Sequence, residues 1–172
     1  MPITRRALTA ALAALPLAAR AEEWPSRPIR LIVPFAPGGT TDVMARLLAE
    51  RLGQQLGRPV VVDNRPGAGA TIGAAQAAQA APDGYTLVMS NSTSHGVSPA
   101  LYPQMPYDAL SGFTHIALVA TSPSVLVVNK DHPARDMAGF IAQCRREKEI
   151  VFAIAGIGTS SHLAGVPMPA MA

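Results

Sequence analysis

Hydrophobic and polar positions alternate in blocks along the chain, and the blocks read as strand, loop and helix in repetition. Ile29 to Phe35 is a nearly continuous apolar run, the pattern of a strand buried on both faces of a parallel sheet. The loop Pro34-Phe35-Ala36-Pro37-Gly38-Gly39 follows. Thr40 and Thr41 are helix-capping residue types, and Asp42 then falls in a first turn, where negative charge suits the helix dipole. Met44, Leu48, Leu52 and Leu56 recur at every fourth position with Val43 and Leu47 beside them, predicting one apolar helix stripe that Gly57 and Pro59 end. Val60 to Val62 predicts a second strand, and Asn64 to Gly69 a turn-rich loop. Thr71 to Ala81 predicts an Ala-rich helix and Tyr85 to Met89 a third strand, followed by the polar loop Ser90 to His95. Further strands are predicted at Phe113 to Ala120, Val125 to Asn129 and Ile150 to Ala155, with a helix at Met137 to Lys148. The loop Gly156 to Ser161 leads into a helix that barely begins. This alternation is that of an α/β fold with a mainly parallel sheet.

The N-terminus departs from that pattern. Arg5 and Arg6 precede an apolar stretch, Ala7 to Ala19, which is too short to span a bilayer, and Ala19-Arg20-Ala21 fits a small-x-small cleavage site. Residues 1–21 are therefore expected to be an export signal, with a mature start at Glu22. The Thr4-Arg5-Arg6-Ala7-Leu8 stretch fits the twin-arginine route loosely, and the general secretory (Sec) route fits equally.

Export changes the charge argument. The formal net charge is +3, but Arg5, Arg6 and Arg20 leave with the signal; the 14 basic residues fall to 11, equal to the 11 acids. A neutral mature chain lacks the basic surface that nucleic acid or an anionic membrane would require. With 49% of residues apolar and no low-complexity tract, the chain has the composition of a globular protein. Cys144, the single cysteine, has no disulfide partner in the chain and reads as a packed small side chain.

Candidate chemistry lies in three loops: Pro37 to Asp42, with Gly38, Gly39, Thr40, Thr41 and Asp42; Ser90 to His95, with Ser90, Ser92 and Thr93; and Gly156 to His162, with Gly158, Thr159, Ser160 and Ser161. In parallel sheets ligands bind beyond the carboxyl ends of the strands. Helix starts there offer unpaired N–H groups to an anion, and glycine permits close approach to the backbone. Any one of these loops is explained as well by an ordinary strand-to-helix turn; the three together favour a binding site for a carboxylate. Gly156-x-Gly158-x-x-Ser161 is only a partial dinucleotide fingerprint, with Ser at its third position. Gly158-Thr159-Ser160-Ser161-His162 lacks the closing glycine of a nucleophile elbow. His95, His115, His132 and His162 have no metal-site spacing. No catalytic residue, metal site or cofactor is expected.

Pro25-Ser26-Arg27-Pro28-Ile29 and Ile32-Val33-Pro34-Phe35-Ala36-Pro37-Gly38-Gly39-Thr40-Thr41-Asp42 resemble the start of the substrate-binding proteins of tripartite tricarboxylate transporters, the TctC or Bug (Bordetella uptake gene) family. So do Val62 to Gly69, Ala81 to Leu87, Pro99 to Tyr102 with Pro106 to Asp108, and Ala155 to Gly165, so the resemblance covers Pro25 to Gly165. It implies a periplasmic-binding-protein-like, Venus-flytrap receptor whose two lobes close on a carboxylate, and whose closed form docks on a membrane permease. On this reading residues 22–120 belong to the first lobe, residues 121–172 begin the second, and the crossover falls near Val119 to Ser124. The resemblance adds Phe35 and Ala36 to the site, places the loops Phe35 to Asp42 and Ser90 to Thr93 in the first lobe, and has Gly156 to Ser161 face them from the second. The receptor is expected to be monomeric and periplasmic. Family members are about twice this length. Val166-Pro167-Met168-Pro169 replaces the expected continuation of a helix, and Arg145 to Glu149 replaces the usual Pro-Gly approach to a strand. A frameshift or premature stop near Gly165 is therefore expected, leaving the second lobe a stub. Two other readings stay open: a ligand-sensing receptor that reports to a sensor kinase, and an exported hydrolase using Ser160 or Ser161.

Overall fold

The computed structural model describes residues 23–147, 150–154 and 156–166; the expected export signal lies outside them. Strand β1 (Ile29–Val33) is the centre of a parallel sheet, flanked by β2 (Val60–Asn64) and β3 (Thr86–Val88) in the order β2-β1-β3. Register pairs Val33 with Asn64 and Ile32 with Val88, so all three strands end on the same edge. The ladder continues past the strand ends, where Arg65 N–H donates to Val33 C=O and Met89 N–H donates to Ile32 C=O.

The apolar run of β1 is buried because both faces of a central parallel strand are covered. Ile29, Leu31, Ile32 and Val33 are each at most 2% exposed. Helix α1 (Thr40–Leu56) lies on one face. There Ala45 and Ala49 pack with Leu31, Val33 and Met89, flanked by the half-buried Met44 and Leu48. Two alanines at the contact let the helix axis approach the sheet closely. The expected stripe is therefore centred on Ala45 and Ala49, and Val43 and Leu47 face solvent at 48% and 55% exposure. Gly57 ends α1 in the left-handed conformation, as its position before Arg58-Pro59 predicted.

Helix α2 (Thr71–Ala78) ends three residues before the expected Ala81. It starts against the end of β1: a Cβ added at Gly73 would stand 2.8 Å from the Arg65 carbonyl oxygen and 2.9 Å from Pro34 Cα. Alanine in place of glycine gains about 1 kcal/mol of helix propensity. Overpacking against fixed backbone costs about 1–3 kcal/mol. Gly73→Ala is thus expected to lower the urea midpoint; an unchanged or raised midpoint would show that the contact yields freely.

Ala74, next to Gly73 in α2, packs with Tyr107 and Ala109. A wide helical turn of π type (Thr93–Val97) runs directly into the short helix α3 (Ser98–Leu101). Helix α4 (Met137–Cys144) is capped by Asp136, whose carboxylate accepts from Gly139 N–H at 2.7 Å, and Cys144 is buried at its end. Helix α5 (Ser160–Gly165) is capped by the Thr159 hydroxyl.

The strands expected at Phe113 to Ala120 and Val125 to Asn129 do not form, and residues 150–154 of the expected Ile150 to Ala155 strand are likewise unpaired. An apolar run is a strand only where another strand satisfies its N–H and C=O groups. Among the described residues the sheet has three strands, and none reaches these segments. Residues 114–131 are exposed throughout, with Val125 and Val127 at 82% and 81%.

Candidate functional site

The parallel register brings the loops after β1, β2 and β3 to one edge. The first of these turns at Gly38 (φ +85°) and enters α1 through Gly39, an extended N-cap residue. The expected capping role of Thr40 and Thr41 is thus not realised: both are helical, and no side chain caps the helix. Phe35 is half-buried against the core, while Ala36, Gly38, Gly39 and Thr40 are exposed and Thr41 is intermediate. The first-turn N–H groups of α1 have no partner within the helix and point out of its end.

Asp42 differs from its neighbours. It is 2% exposed, and its carboxylate accepts from Gly38 N–H (2.9 Å), Arg46 Nε (3.0 Å) and Asn64 Nδ2 (2.9 Å). The hydrogen bond from Arg46, then those from Gly38 and Asn64, hold this carboxyl well below the usual carboxylate range against the opposing effect of burial. One residue before Asn64, burial raises Asp63 but the hydrogen bonds from Arg30 and Arg65 outweigh it, leaving its carboxyl lowered.

The loop after β2 takes an uncommon path. Gly67, Ala68, Gly69 and Ala70 all have positive φ (127°, 44°, 60° and 69°). Left-handed backbone costs an L-residue about 1–2 kcal/mol, so the two alanines are held there by their surroundings. One restraint is the buried Ser98, whose hydroxyl donates to Gly69 C=O at 2.7 Å. This ties the β2 loop to the segment that follows β3.

After β3, Ser90 and Ser92 are exposed and Thr93 is buried. The Asn91 side chain shapes this turn by accepting from Thr93 and Ser94 N–H. Ser94 is fully buried; its hydroxyl lies 2.9 Å from His95 Nδ1, and its carbonyl accepts from the Tyr107 hydroxyl at 2.5 Å. His95 also sits among Tyr107, Phe113 and His115, with ring centroids 4.7–5.9 Å away. Burial and then the neighbouring His115 push the His95 imidazole down, favouring its neutral form.

The third predicted loop approaches the same segment. Gly158 is buried, and a Cβ there would lie 3.1 Å from Leu101 Cδ1 and 3.7 Å from Val97 Cγ1. Thr159 donates its hydroxyl to Gly156 C=O, and its oxygen is 3.0 Å from the Ser161 hydroxyl; Ser160 is exposed. His162 Nδ1 accepts from Gly158 N–H at 3.2 Å, so this nitrogen is turned to its own loop rather than toward Ser160 or Ser161 as a base. Among the described residues no group of three or more His, Cys, Asp or Glu side chains is placed to hold a metal.

A groove of about 630 Å³ opens elsewhere, between α1 and the outer edge of β2, lined by Arg46, Gly53, Gln54, Arg58 and Val60 among others. None of the predicted site residues lines it. It marks the uncovered side of an edge strand.

Residues 44–171 match the model of the tripartite tricarboxylate transporter family receptor. The chain belongs to this family. BugT of Bordetella pertussis is 46% identical over 145 residues, covering 83% of this chain and 44% of that protein. An R. palustris protein solved with adipate is 38% identical with a TM-score of 0.69, over 72% of this chain and 42% of that one. MatC from Rhodopseudomonas palustris, solved with bound malate, is 38% identical with a TM-score of 0.65, over 70% and 41%. The chain spans about half the length of the curated relatives it matches. The fold is thus part of the periplasmic-binding-protein architecture that the resemblance implied. Among the described residues of this family receptor no helix is long and apolar enough to cross a membrane.

Two features of the site were not anticipated. Asn64 reads only as a turn residue, and its place at the start of an Asn-x-Pro-Gly run is the one signal that points to it. The left-handed Ala68 and Ala70 carry no signal, because alanine is ordinarily a helix former.

Proposed function

We propose that this chain is the ligand-binding part of a periplasmic receptor that takes up a small organic carboxylate and presents it to a membrane permease. The observation that carries the proposal is the convergence of the glycine- and hydroxyl-bearing loops after β1, β2 and β3 on one sheet edge. Family membership and the adipate and malate complexes of two relatives support it.

The residues proposed to face the ligand are Gly38, Gly39, Thr40 and Thr41 from the loop after β1 and Ser90, Ser92 and Thr93 from the loop after β3, with Phe35 and Ala36 as the apolar rim. Gly158, Thr159, Ser160 and Ser161 are proposed to approach from the opposite wall. Asp42 is assigned to holding the first loop, since a carboxylate whose oxygens are already occupied has nothing to offer a second anion. The backbone N–H groups that follow Gly38, whose own N–H is held by Asp42, and the hydroxyls then bind the ligand's negative charge, as helix N-termini do. The division into a leader over residues 1–21, a first lobe over 22–120 and the start of a second over 121–172 is part of the same proposal, as are monomeric state and export.

The test is calorimetric titration of the purified chain with a series of linear four- to six-carbon dicarboxylates, with backbone NMR of the Gly38–Thr41 and Ser90–Thr93 amides. Saturable binding that shifts those amides is expected. Micromolar affinity corresponds to about −8 kcal/mol. Absence of heat and of amide shifts across the series would refute carboxylate binding by this chain. Turnover of an activated ester that disappears in Ser160→Ala would replace it with hydrolysis.

A further inference from the structure

We propose that Asn64 is the positioning residue of the first binding loop, acting through Asp42 to aim the Gly38–Thr41 backbone and to shield the buried carboxylate from an anionic ligand. The inference rests on the proposed carboxylate site for its ligand, but the brace itself is a property of the free chain. Asn64 ends β2 directly opposite Val33, so its side chain reaches the loop that leaves β1. Its Nδ2 donates to Phe35 C=O at 3.1 Å and to Asp42 Oδ1 at 2.9 Å, and its Oδ1 accepts from Arg46 Nη2 at 3.2 Å. Arg46 Nε and Gly38 N–H complete the ring on Asp42 Oδ2.

Only a side-chain amide meets both requirements at this position. It must donate to a carbonyl and a carboxylate, and also accept from a guanidinium. Leucine would leave all three partners without it. Aspartate would keep the shape and the acceptor, but would set a second carboxylate about 3 Å from the first. Two carboxylates that close cannot both ionise freely and share a proton. The other charged groups around the pair are Arg46 and the neighbouring Asp63, Arg30 and Arg65; the last two are engaged with Asp63.

The brace also answers an electrostatic difficulty. A carboxylate ligand at the start of α1 would meet the negative charge of Asp42 only four residues from Gly38. Donors from Arg46 and Asn64 turn that charge inward, and the Gly38 N–H is spent on it. The N–H groups that follow Gly38 remain for the ligand.

Asn64→Asp and Asn64→Ser in the full chain test the assignment, with amide exchange of Gly38 as the first readout and dicarboxylate titration as the second. Each value is taken relative to the unmodified chain at the same pH. In Asn64→Asp, Gly38 exchange is expected to rise about tenfold at pH 8, the equivalent of one lost hydrogen bond, and to return toward the unmodified value at pH 5 as the carboxylate pair takes up a proton. Affinity is expected to fall and recover in parallel. Asn64→Ser is too short to span both partners and is expected to raise Gly38 exchange at both pH values. It also serves if the aspartate variant does not fold. Unchanged Gly38 exchange in either folded variant, or a loss in Asn64→Asp that does not recover at pH 5, would overturn the assignment. If the unmodified chain binds none of the dicarboxylates, the carboxylate reading fails while the Gly38 exchange still decides the brace.

Discussion

Ile32→Ala is expected to lower the free energy of unfolding by about 2–5 kcal/mol, read from the urea midpoint at constant slope. Ile32 is fully buried in the central strand, and its C=O accepts from Met89 N–H on the β3 side. The backbone there is held by strands on both sides, so it cannot relax into the space the side chain leaves. The cost is therefore the lost transfer energy plus the cavity. Small domains are stable by only about 5–15 kcal/mol, so this one change removes a large part of the total. Val127→Ala is the matched control. At 81% exposure it is expected to stay within about 0.5 kcal/mol. Equal losses in the two variants would mean that the 114–131 segment is packed in solution and that the sheet is not the principal core.

The second large effect is expected at Asp42. Asn in its place keeps the size but turns one of the two oxygens into an NH2 group, opposite either Asn64, which donates to Oδ1, or Gly38 and Arg46, which donate to Oδ2. Donors then face a donor, and the loop that enters α1 loses its anchor. Dicarboxylate affinity is expected to fall at least about tenfold at pH 7. Stability should carry a distinct pH signature. The folded carboxyl is depressed below its ordinary value of 3.8, so its stabilising effect is complete above that value and is lost as pH falls through the folded pKa. The melting temperature of Asp42→Asn is thus expected to lie furthest below the unmodified chain near neutrality, with the gap narrowing below about pH 4. A gap that stays constant from pH 7 to pH 2.5 would show that ionisation of Asp42 does not stabilise the fold.

The two variants probe different layers of the same architecture. Ile32 carries the sheet that sets the loops at one edge, whereas Asp42 and Asn64 set the path of one loop across that edge. Gly73 joins the two, since its missing side chain lets α2 start against Pro34 and Arg65.

Much of this was legible in the chain itself. The apolar run at Ile29 to Phe35, which holds β1 as far as Val33, the stop at Gly57 before Pro59, and the glycine turn before α1 each act through local chemistry, and each lies in the part of the chain where the pattern put it. The ordered motifs from Pro25 to Gly165 identified the family for the same reason: they combine turn residues and strand ends that only a shared backbone path requires. Tertiary structure decided the rest. Val125 to Asn129 has the composition of a strand, yet pairing needs a neighbour that local pattern cannot supply. The buried face of α1 turned on two alanines instead of the larger residues beside them, because closeness to the sheet favours small side chains. Asn64 and Asp42 lie 22 residues apart in sequence, and their hydrogen bond exists only because β1 and β2 pair in one register. Local propensity is a property of neighbouring residues, and so can be read along a chain; a hydrogen bond between distant side chains depends on the packing that brings them together.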